Sequence, residues 1–313
     1  MATAAELIQR FRSRVHVVDG ALATELQARG VSIDGPLWSG HALVEQPDAI
    51  EQLHFDYLRA GADVIITAGY QVSIAGMLDA GYTEREAEEA LRLSVDLAMR
   101  ARERFLKEGG KGDPLVAASI GPYGAFTADG AEYTGDYPVG PAELLAFHER
   151  RFELMAECGP DLLACETTPS LDEARVYARL FRRWADTPGW ISFSCKDGKH
   201  TCHGEPVADC ARELAQTANV VAIGVNCTAP QHIASLAREI RGATDKPIVV
   251  YPNSGETWDA EHHRFVGQGH AHEIAGHANE WIKAGANLIG GCCRVGPAQI
   301  AALKQATGSP GPS

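Results

Sequence analysis

Short apolar runs rich in β-branched residues alternate with longer amphipathic stretches along the whole chain. The runs predict eight strands: Val15–Asp19, Asp63–Ala68, Leu115–Ile120, Leu162–Glu166, Trp190–Cys195, Val220–Asn226, Ile248–Tyr251 and Leu288–Gly291. The stretches between and after them predict helices: Asp48–Ala60, Glu84–Lys107, Pro141–Cys158, Leu171–Trp184, Val207–Thr217, Gln231–Arg241, Ala271–Ala284 and Pro297–Gln305. Strands that are apolar on both faces are typical of a parallel sheet covered by helices, and parallel strands need crossover helices. Eight β/α units are the number found in a (β/α)₈ barrel, so the sequence predicts this TIM-like α/β fold.

The alternative architecture is a doubly wound open sheet, which normally carries a glycine-rich phosphate-binding loop after its first strand. The segment Asp19-Gly20-Ala21-Leu22 lacks the G-x-G-x-x-G pattern, and this favours the barrel. The chain has 313 residues, enough for one complete barrel, and it contains no linker and no repeat of fixed period. We therefore expect a single domain over residues 1–307 and a disordered tail over residues 308–313.

Composition restricts the class of partner and the compartment. The 41 acidic residues outnumber the 28 Lys and Arg residues, and the resulting formal charge of −13 argues against nucleic-acid binding. No apolar run approaches the roughly 20 residues of a membrane span, and the N-terminus lacks the pattern of a signal peptide. We therefore expect a cytoplasmic protein whose eight cysteines stay reduced. The sequence leaves the oligomeric state open, a homo-oligomer included.

Polar and reactive side chains gather where the predicted strands end. In a (β/α)₈ barrel, the C-terminal ends of the strands carry the chemistry. The residues at or just after these ends include Asp19, Thr67, Tyr70, Glu166, Asn226, Cys227, Asn253, Ser254, Cys292 and Cys293. This distribution favours an enzyme over a binding module without catalytic activity.

Three of the cysteines form a candidate metal site. Cys227 follows the sixth strand, and the adjacent pair Cys292 and Cys293 follows the eighth, so the three sulfurs are expected to converge above the barrel. Three thiolates suit Zn²⁺, and a site with three protein ligands keeps its fourth position open for a substrate atom. The glycines Gly290 and Gly291 are expected to let the backbone bend, so that both adjacent cysteines reach one ion.

A different interpretation treats these three thiols as a structural zinc site or as inert core residues in a barrel with other chemistry. Burial is the usual fate of a single cysteine in a reducing compartment. It is the role expected for the other five: Cys158, Cys165, Cys195, Cys202 and Cys210.

Several segments resemble the homocysteine S-methyltransferases, and the resemblance runs nearly the full length of the chain. The segments are Asp19-Gly20-Ala21-Leu22-Ala23-Thr24-Glu25-Leu26, Pro36-Leu37-Trp38-Ser39, Gly121-Pro122-Tyr123-Gly124, Ala164-Cys165-Glu166-Thr167, Gly224-Val225-Asn226-Cys227, Tyr251-Pro252-Asn253-Ser254-Gly255-Glu256 and Gly290-Gly291-Cys292-Cys293-Arg294. They are most similar to the branch of the family that uses S-methylmethionine or S-adenosylmethionine as methyl donor.

The resemblance implies a (β/α)₈ barrel that binds zinc through Cys227, Cys292 and Cys293 and methylates homocysteine to methionine. Homocysteine would bind Zn²⁺ as a thiolate in the open position and attack the methyl group of a sulfonium donor. The acidic residues that hold the homocysteine ammonium group fall on Asp19 and Glu166.

The resemblance also implies supporting roles around the substrates. The backbone near Gly20 and Ala21 would assist in binding homocysteine, and Asn226 would orient a ligand or substrate group. Aromatic faces would hold the positive sulfur of the donor, and by strand position the nearest are Trp38, Tyr70 and Tyr123. Two variants of the reaction stay open, with selenocysteine as acceptor or betaine as donor.

Overall fold

The predicted strands form one parallel sheet that closes on itself. The computed structural model describes residues 2–33, 35, 37–259, 264–266, 269 and 271–308. The barrel strands, numbered β1 to β8, are His16–Val17, Val64–Ile66, Leu115–Ile120, Leu162–Thr168, Gly189–Phe193, Val220–Asn226, Ile248–Tyr251 and Leu288–Ile289. Each strand from β2 to β7 pairs in parallel with its neighbour in the chain, and β8 pairs with both β7 and β1. A parallel bridge between Val18 and Val64 joins β1 to β2 and completes the ring, so the predicted (β/α)₈ barrel is confirmed.

Helices surround the barrel and cover the outer face of its strands. The α-helices are Ala4–Ser13, Ala23–Ala28, Ser39–Glu45, Pro47–Ala60, Ile74–Asp79, Glu84–Lys107, Tyr123–Thr127, Pro141–Glu157, Leu171–Arg183, Val207–Leu214, Pro230–Ala243, Ile274–Lys283 and Pro297–Gly308. Two 3₁₀ turns, Ala131–Tyr133 and Ala271–Glu273, complete the set among the described residues. Proline occupies the first turn of several helices, where its missing N–H has no intrahelical partner to lose.

The structure contains short elements that the sequence pattern does not predict. Four short helices (Ala23–Ala28, Ser39–Glu45, Ile74–Asp79 and Tyr123–Thr127) lie in the connections that follow β1, β2 and β3. An antiparallel pair of strands, Thr257–Asp259 and Arg264–Val266, follows β7. The predicted helix Ala271–Ala284 divides into the second 3₁₀ turn and the helix Ile274–Lys283.

The N-terminal helix closes the end of the barrel where the strands begin. Its buried residues Leu7 and Phe11 are one helical turn apart and pack in a cluster with inward-facing strand residues such as Leu162. At the same end, Arg10 forms a salt bridge with Asp113, which precedes β3. The opposite end of the barrel is therefore the one that remains open.

The last helix ends at Gly308, so the start of the predicted tail 308–313 is helical and residues 309–313 lie outside the described part of the chain. None of the described helices has the length and hydropathy that are needed to span a bilayer.

Candidate active site

A cavity of about 470 Å³ opens at the C-terminal ends of the strands. It brings together most of the residues that the sequence predicts for the site. The predicted residues that line it are Gly20, Ala21, Trp38, Tyr70, Glu166, Asn226, Cys227, Cys292 and Cys293. Among the described residues that line the cavity, two are carboxylates, Glu132 and Glu166, and none is Lys, Arg or His. The cavity therefore presents an electronegative surface that suits a cationic ligand.

Three thiols meet at one side of this cavity. The Sγ atoms of Cys227 and Cys293 are 3.7 Å apart, and those of Cys227 and Cys292 are 2.7 Å apart. All three sulfurs lie within 4.8 Å of one another, and they form the one candidate metal cluster found among the described residues. Two sulfurs bound to one tetrahedral Zn²⁺ at about 2.3 Å lie about 3.8 Å apart. The Cys227–Cys293 spacing matches this value, and the Cys227–Cys292 spacing is shorter.

The three thiols share protons, which makes one of them more acidic. Hydrogen bonds from Cys292 and Cys293 lower the pKa of Cys227 well below its usual range. Because Cys292 and Cys293 donate these hydrogen bonds, their own pKa values are raised well above the usual range. The lowered pKa favours the thiolate of Cys227, and a thiolate is the form of cysteine that binds metals.

Backbone hydrogen bonds place the thiols. Cys227 N donates to the carbonyl of Tyr251 (3.2 Å), which ties the end of β6 to the end of β7. The pair after β8 sits in a turn in which Cys292 N donates to Pro252 O (2.7 Å) and Val295 N donates to Cys292 O (3.1 Å). The ends of β6 and β8, which flank β7 in the barrel, thus bring together residues that are 65 positions apart in the sequence.

Gly290 and Gly291 act through close packing. Neither has a positive φ. A Cβ at Gly290 would lie 2.8 Å from the carbonyl oxygen of Asp19, and one at Gly291 would lie 2.2 Å from Cγ1 of Val295. Glycine is therefore required because β1 and the following turn approach so closely, a reason different from the predicted bend.

Left-handed backbone conformations concentrate around the site. Among the described residues, five that are not glycine have positive φ: Trp38, Ala128, Thr167, Cys227 and Arg294. The first four line the cavity, and the fifth directly follows Cys293. Such conformations cost on the order of 1–3 kcal/mol each and persist where the surroundings impose them, which is common at functional sites.

The two predicted carboxylates differ in their access to the cavity: Glu166 lines it, whereas Asp19 is buried directly before the lining residue Gly20 and is absent from the lining itself. Asp19 Oδ2 accepts a hydrogen bond from Ile66 N (2.9 Å), while its buried Oδ1 has no partner among the described residues. Glu166 accepts a hydrogen bond from the hydroxyl of Ser119. Burial raises the pKa of Glu166 to about 7 and that of Asp19 well above its usual range. No cationic side chain among the described residues compensates either carboxylate.

Asn226 fixes the strand ends around it. Its Oδ1 accepts hydrogen bonds from Thr167 N (2.7 Å) and Ser192 Oγ (2.8 Å), and its Nδ2 donates to Thr167 Oγ1 (2.7 Å). These bonds connect β4, β5 and β6 immediately before Cys227. The contacts support the predicted orienting role.

The predicted backbone contacts differ between Gly20 and Ala21. Ala21 N already donates to Val295 O (2.9 Å), so this N–H is occupied within the protein. A Cβ at Gly20 would lie 2.1 Å from the same carbonyl oxygen. The turn after β1 therefore packs directly against the turn that carries the cysteine pair.

The predicted aromatic residues divide into two groups. Trp38 and Tyr70 line the cavity. Tyr123 is not among the described residues that line the cavity. It packs instead against Phe126, Tyr137 and Phe147, whose ring centroids lie 5.0 to 5.5 Å from its own. The structure therefore places Tyr123 in an aromatic cluster beside the site, because the helix Tyr123–Thr127 turns its ring away from the cavity.

Among the cavity residues that the predicted site does not include, two lie in the 3₁₀ turn Ala131–Tyr133 of the loop after β3. The hydroxyl of Tyr133 lies 3.7 Å from Cys227 Sγ. Glu132 has a buried Oε2 without a partner among the described residues, and burial raises its pKa to about 7. The length of this loop was a visible signal, but no local pattern indicated which of its residues face the cavity.

The other five cysteines are free thiols away from the cluster. Four of them are buried: Cys165, Cys195, Cys202 and Cys210. Burial raises the pKa of each of the five, Cys158 included. Such thiols are poor nucleophiles, in agreement with the predicted core role.

Comparison with known proteins identifies the family. The family model for homocysteine S-methyltransferase matches residues 16–307. The homocysteine S-methyltransferase YbgG of Bacillus subtilis (strain 168) is 47% identical over 288 residues, which cover 91% of each chain. Homocysteine S-methyltransferase 4 of Zea mays is 46% identical over 93% of this chain and 88% of the relative. The metallated form of the homocysteine methyltransferase MmuM from Escherichia coli superimposes with a TM-score of 0.85 at 42% identity, over 93% of this chain and 96% of that one. The chain therefore belongs to the homocysteine S-methyltransferase family.

Proposed function

We propose that this enzyme transfers a methyl group from a sulfonium donor, S-methylmethionine or S-adenosylmethionine, to the thiol of L-homocysteine and forms methionine. The observation that carries the proposal is the cluster of Cys227, Cys292 and Cys293 in an acidic cavity at the catalytic end of the barrel. Family membership supports the same reaction.

Zinc is the metal that best suits the donor set. Three thiolates favour a borderline-soft ion, and three protein ligands are the number that a catalytic zinc site provides. Cys227, Cys292 and Cys293 would hold the ion. When bound, zinc lowers the pKa of a thiol that coordinates it, and so supplies the nucleophile at neutral pH.

Asp19 and Glu166 would bind the amino-acid part of homocysteine. Asp19 has an unpartnered Oδ1, and Glu166 shares its burial. An ammonium group that arrives between them would satisfy the orphaned oxygen and compensate the charge. Binding of this cation favours the ionised carboxylates, whose pKa values burial raises.

The transfer itself is a single displacement. The bond between the homocysteine sulfur and the methyl carbon forms as the bond between that carbon and the donor sulfur breaks. The electron pair of the broken bond stays on the donor sulfur, which leaves as a neutral thioether. The protein therefore acts mainly by aligning the two sulfurs, with Trp38 and Tyr70 as aromatic surfaces for the positive donor.

Methionine formation from homocysteine tests the reaction. S-methylmethionine, S-adenosylmethionine and betaine would be offered in parallel, and selenocysteine would replace homocysteine in a second series. We expect transfer from a sulfonium donor to homocysteine. The absence of methionine with every donor would overturn the proposed function, and preference for betaine or selenocysteine would establish one of the alternatives.

The metal mechanism is tested by substitution of one ligand. We expect Cys292→Ser to lose both bound zinc, measured by metal analysis, and methyl transfer. Cys158→Ser is the matched control, because Cys158 is a free thiol outside the cluster, and it should keep both. Full transfer by Cys292→Ser would contradict the mechanism.

We also retain the cytoplasmic location as part of the proposal. It is supported by the eight free cysteines, since a catalytic thiol cluster requires a reducing compartment.

A further inference from the structure

We propose that Glu132 is the counter-ion for the sulfonium group of the methyl donor and therefore determines donor affinity. The inference rests on the proposed function, because it assumes a cationic donor. It concerns a residue for which the sequence pattern gave no role.

The backbone of Glu132 is held firmly in place. Its carbonyl oxygen accepts a hydrogen bond from Ser194 Oγ (2.7 Å), which ties the 3₁₀ turn to the residue that follows β5. On the other side, a Cβ at Gly124 would lie 2.3 Å from Glu132 N, so the two backbone segments are in direct contact. A side chain on such a support keeps its position without a ligand, which is what a pre-formed binding site requires.

One oxygen of the Glu132 carboxylate has no hydrogen-bond partner among the described residues. Oε2 of Glu132 is buried without a hydrogen bond from any described residue. The buried Glu173 provides a contrast, since it accepts hydrogen bonds from Tyr123 N and Tyr137 Oη and contacts His148. A buried carboxylate oxygen without a partner is costly, and a ligand that neutralises it recovers this cost.

The surroundings of Glu132 suit a cation that cannot donate hydrogen bonds. The cavity wall includes the aromatic residues Trp38, Tyr70 and Tyr133, and its described lining has no basic side chain. A sulfonium carries a positive charge but no N–H or O–H group, so aromatic faces and a carboxylate are the groups that recognise it. A cationic substrate is therefore the partner that these surroundings suit.

The position of Glu132 relative to the thiol cluster also suits a residue that binds the donor. Tyr133, the next residue, places its hydroxyl 3.7 Å from Cys227 Sγ. The donor must deliver its methyl group to a sulfur held at this thiol cluster. Glu132 and Tyr133 both line the cavity wall beside this cluster, so a counter-ion at Glu132 lies within the cavity that the donor must enter.

The kinetic consequence follows from the charge. The sulfonium is positive in the bound donor and becomes a neutral thioether as the methyl group moves to the thiolate. Because much of this charge is still on the donor sulfur in the transition state, a carboxylate beside it stabilises the bound donor and the transition state to a similar degree. Loss of the charge should raise the donor KM and leave kcat little changed.

The test compares Glu132→Gln with Asp136→Asn, an exposed carboxylate of the same loop that loses the same charge. We expect Glu132→Gln to raise the KM for S-methylmethionine at least tenfold, with kcat within threefold of wild type and the homocysteine KM unchanged. Calorimetric titration with S-methylmethionine should show the same loss of affinity. Asp136→Asn should match wild type, and zinc content should be equal in all three proteins.

The donor carries two positive groups, a sulfonium and an ammonium. Competition with trimethylsulfonium, which has no amino group, shows which of the two Glu132 contacts. Weaker inhibition of Glu132→Gln than of wild type supports the sulfonium contact. Inhibition of Glu132→Gln equal to that of wild type would overturn it and assign Glu132 to the ammonium group of the donor. If the Glu132→Gln enzyme is active and its KM for S-methylmethionine is unchanged, the role of Glu132 is overturned and the proposed function stands. If the wild-type enzyme is inactive with every sulfonium donor, the proposed function itself is overturned.

Discussion

Two buried asparagines at opposite ends of β6 show how one residue type serves either the fold or the site. Asn226 ends the strand and binds Thr167 and Ser192 next to the thiol cluster. Asn219 precedes the strand, and its Nδ2 donates to the carbonyls of Phe181, Trp184 and Thr187. Each amide satisfies buried groups that would otherwise be unpaired, but only Asn226 stands beside a proposed metal ligand.

We predict that Asn226→Ala and Asn219→Ala both lower the free energy of unfolding by about 1–3 kcal/mol, because each leaves buried polar groups without partners. Only Asn226→Ala should also lower kcat/KM or zinc affinity, by about 10- to 100-fold, since it releases the backbone before Cys227. Urea unfolding, zinc titration and steady-state kinetics on both variants check this. Equal kinetic losses in the two would refute a specific role for Asn226.

At the residue scale, the sequence could identify site residues such as Cys227 that lie at the ends of strands. It could not identify residues such as Glu132, whose position depends on how a loop folds. Cys227 and Glu166 were predictable because each directly continues or ends a recognisable strand. Glu132 was not, because its direction depends on contacts with Ser194 and Gly124 that no local pattern records. The same reason explains Tyr123, whose position after β3 indicated the cavity although its ring packs elsewhere.

At the scale of elements, the loop after β3 is anchored by one buried carboxylate. Glu173, in the first turn of the helix Leu171–Arg183, accepts hydrogen bonds from Tyr123 N (2.6 Å) and Tyr137 Oη (3.0 Å). His148 lies between Glu173 and Arg151, at 2.8 and 2.9 Å. Burial lowers the pKa of His148 to about 4, so the ring is neutral at pH 7 and links the acid to the base. The loop that carries Glu132 and Tyr133 is thereby fixed to two helices.

We predict that Tyr137→Phe raises the donor KM several-fold with little effect on the homocysteine KM, because it removes one of the two hydrogen bonds that anchor this loop to Glu173 and leaves the base of the cavity intact. It should cost only about 0.5–1.5 kcal/mol of unfolding free energy. Glu173→Gln should cost about 3–5 kcal/mol, since it leaves the buried Arg151 without its counter-charge. Thermal unfolding and substrate kinetics on both variants measure these effects. Equal increases in both KM values for Tyr137→Phe would contradict the assignment of the loop to the donor.

The elements themselves were predictable in proportion to their length and periodicity. The eight strands follow from residues buried on both faces, as in Val220–Asn226, where every residue is buried. The short helices Ala23–Ala28 and Ser39–Glu45 were missed, because five to seven residues give too little periodicity to distinguish a helix from a loop. Their position is set by tertiary contacts, such as the hydrogen bond from Arg294 N to Thr24 Oγ1 (2.8 Å).

At the scale of the whole molecule, the two ends of the barrel have separate tasks. The N-terminal helix covers one end with Leu7 and Phe11, which are fully buried against the inner strand residues. The other end holds the cavity and the thiols. Stability at one end and chemistry at the other is the arrangement expected of (β/α)₈ barrels, and it makes the two properties separable by substitution.

We predict that Leu7→Ala lowers the free energy of unfolding by about 2–5 kcal/mol, because it leaves a cavity in the inner core. Its kcat/KM and zinc content should equal those of wild type at a temperature where the variant is folded, since the helix lies at the end opposite the site. Leu106→Ala is the matched control: Leu106 is 43% exposed, so the same change should cost about 0.5 kcal/mol or less. Urea unfolding followed by circular dichroism, together with kinetics on the folded proteins, measures both properties. A loss of kcat/KM in folded Leu7→Ala would show that the closed end of the barrel is coupled to the site. An unfolding midpoint of Leu7→Ala equal to that of Leu106→Ala would show that the N-terminal helix adds nothing to the stability of the core.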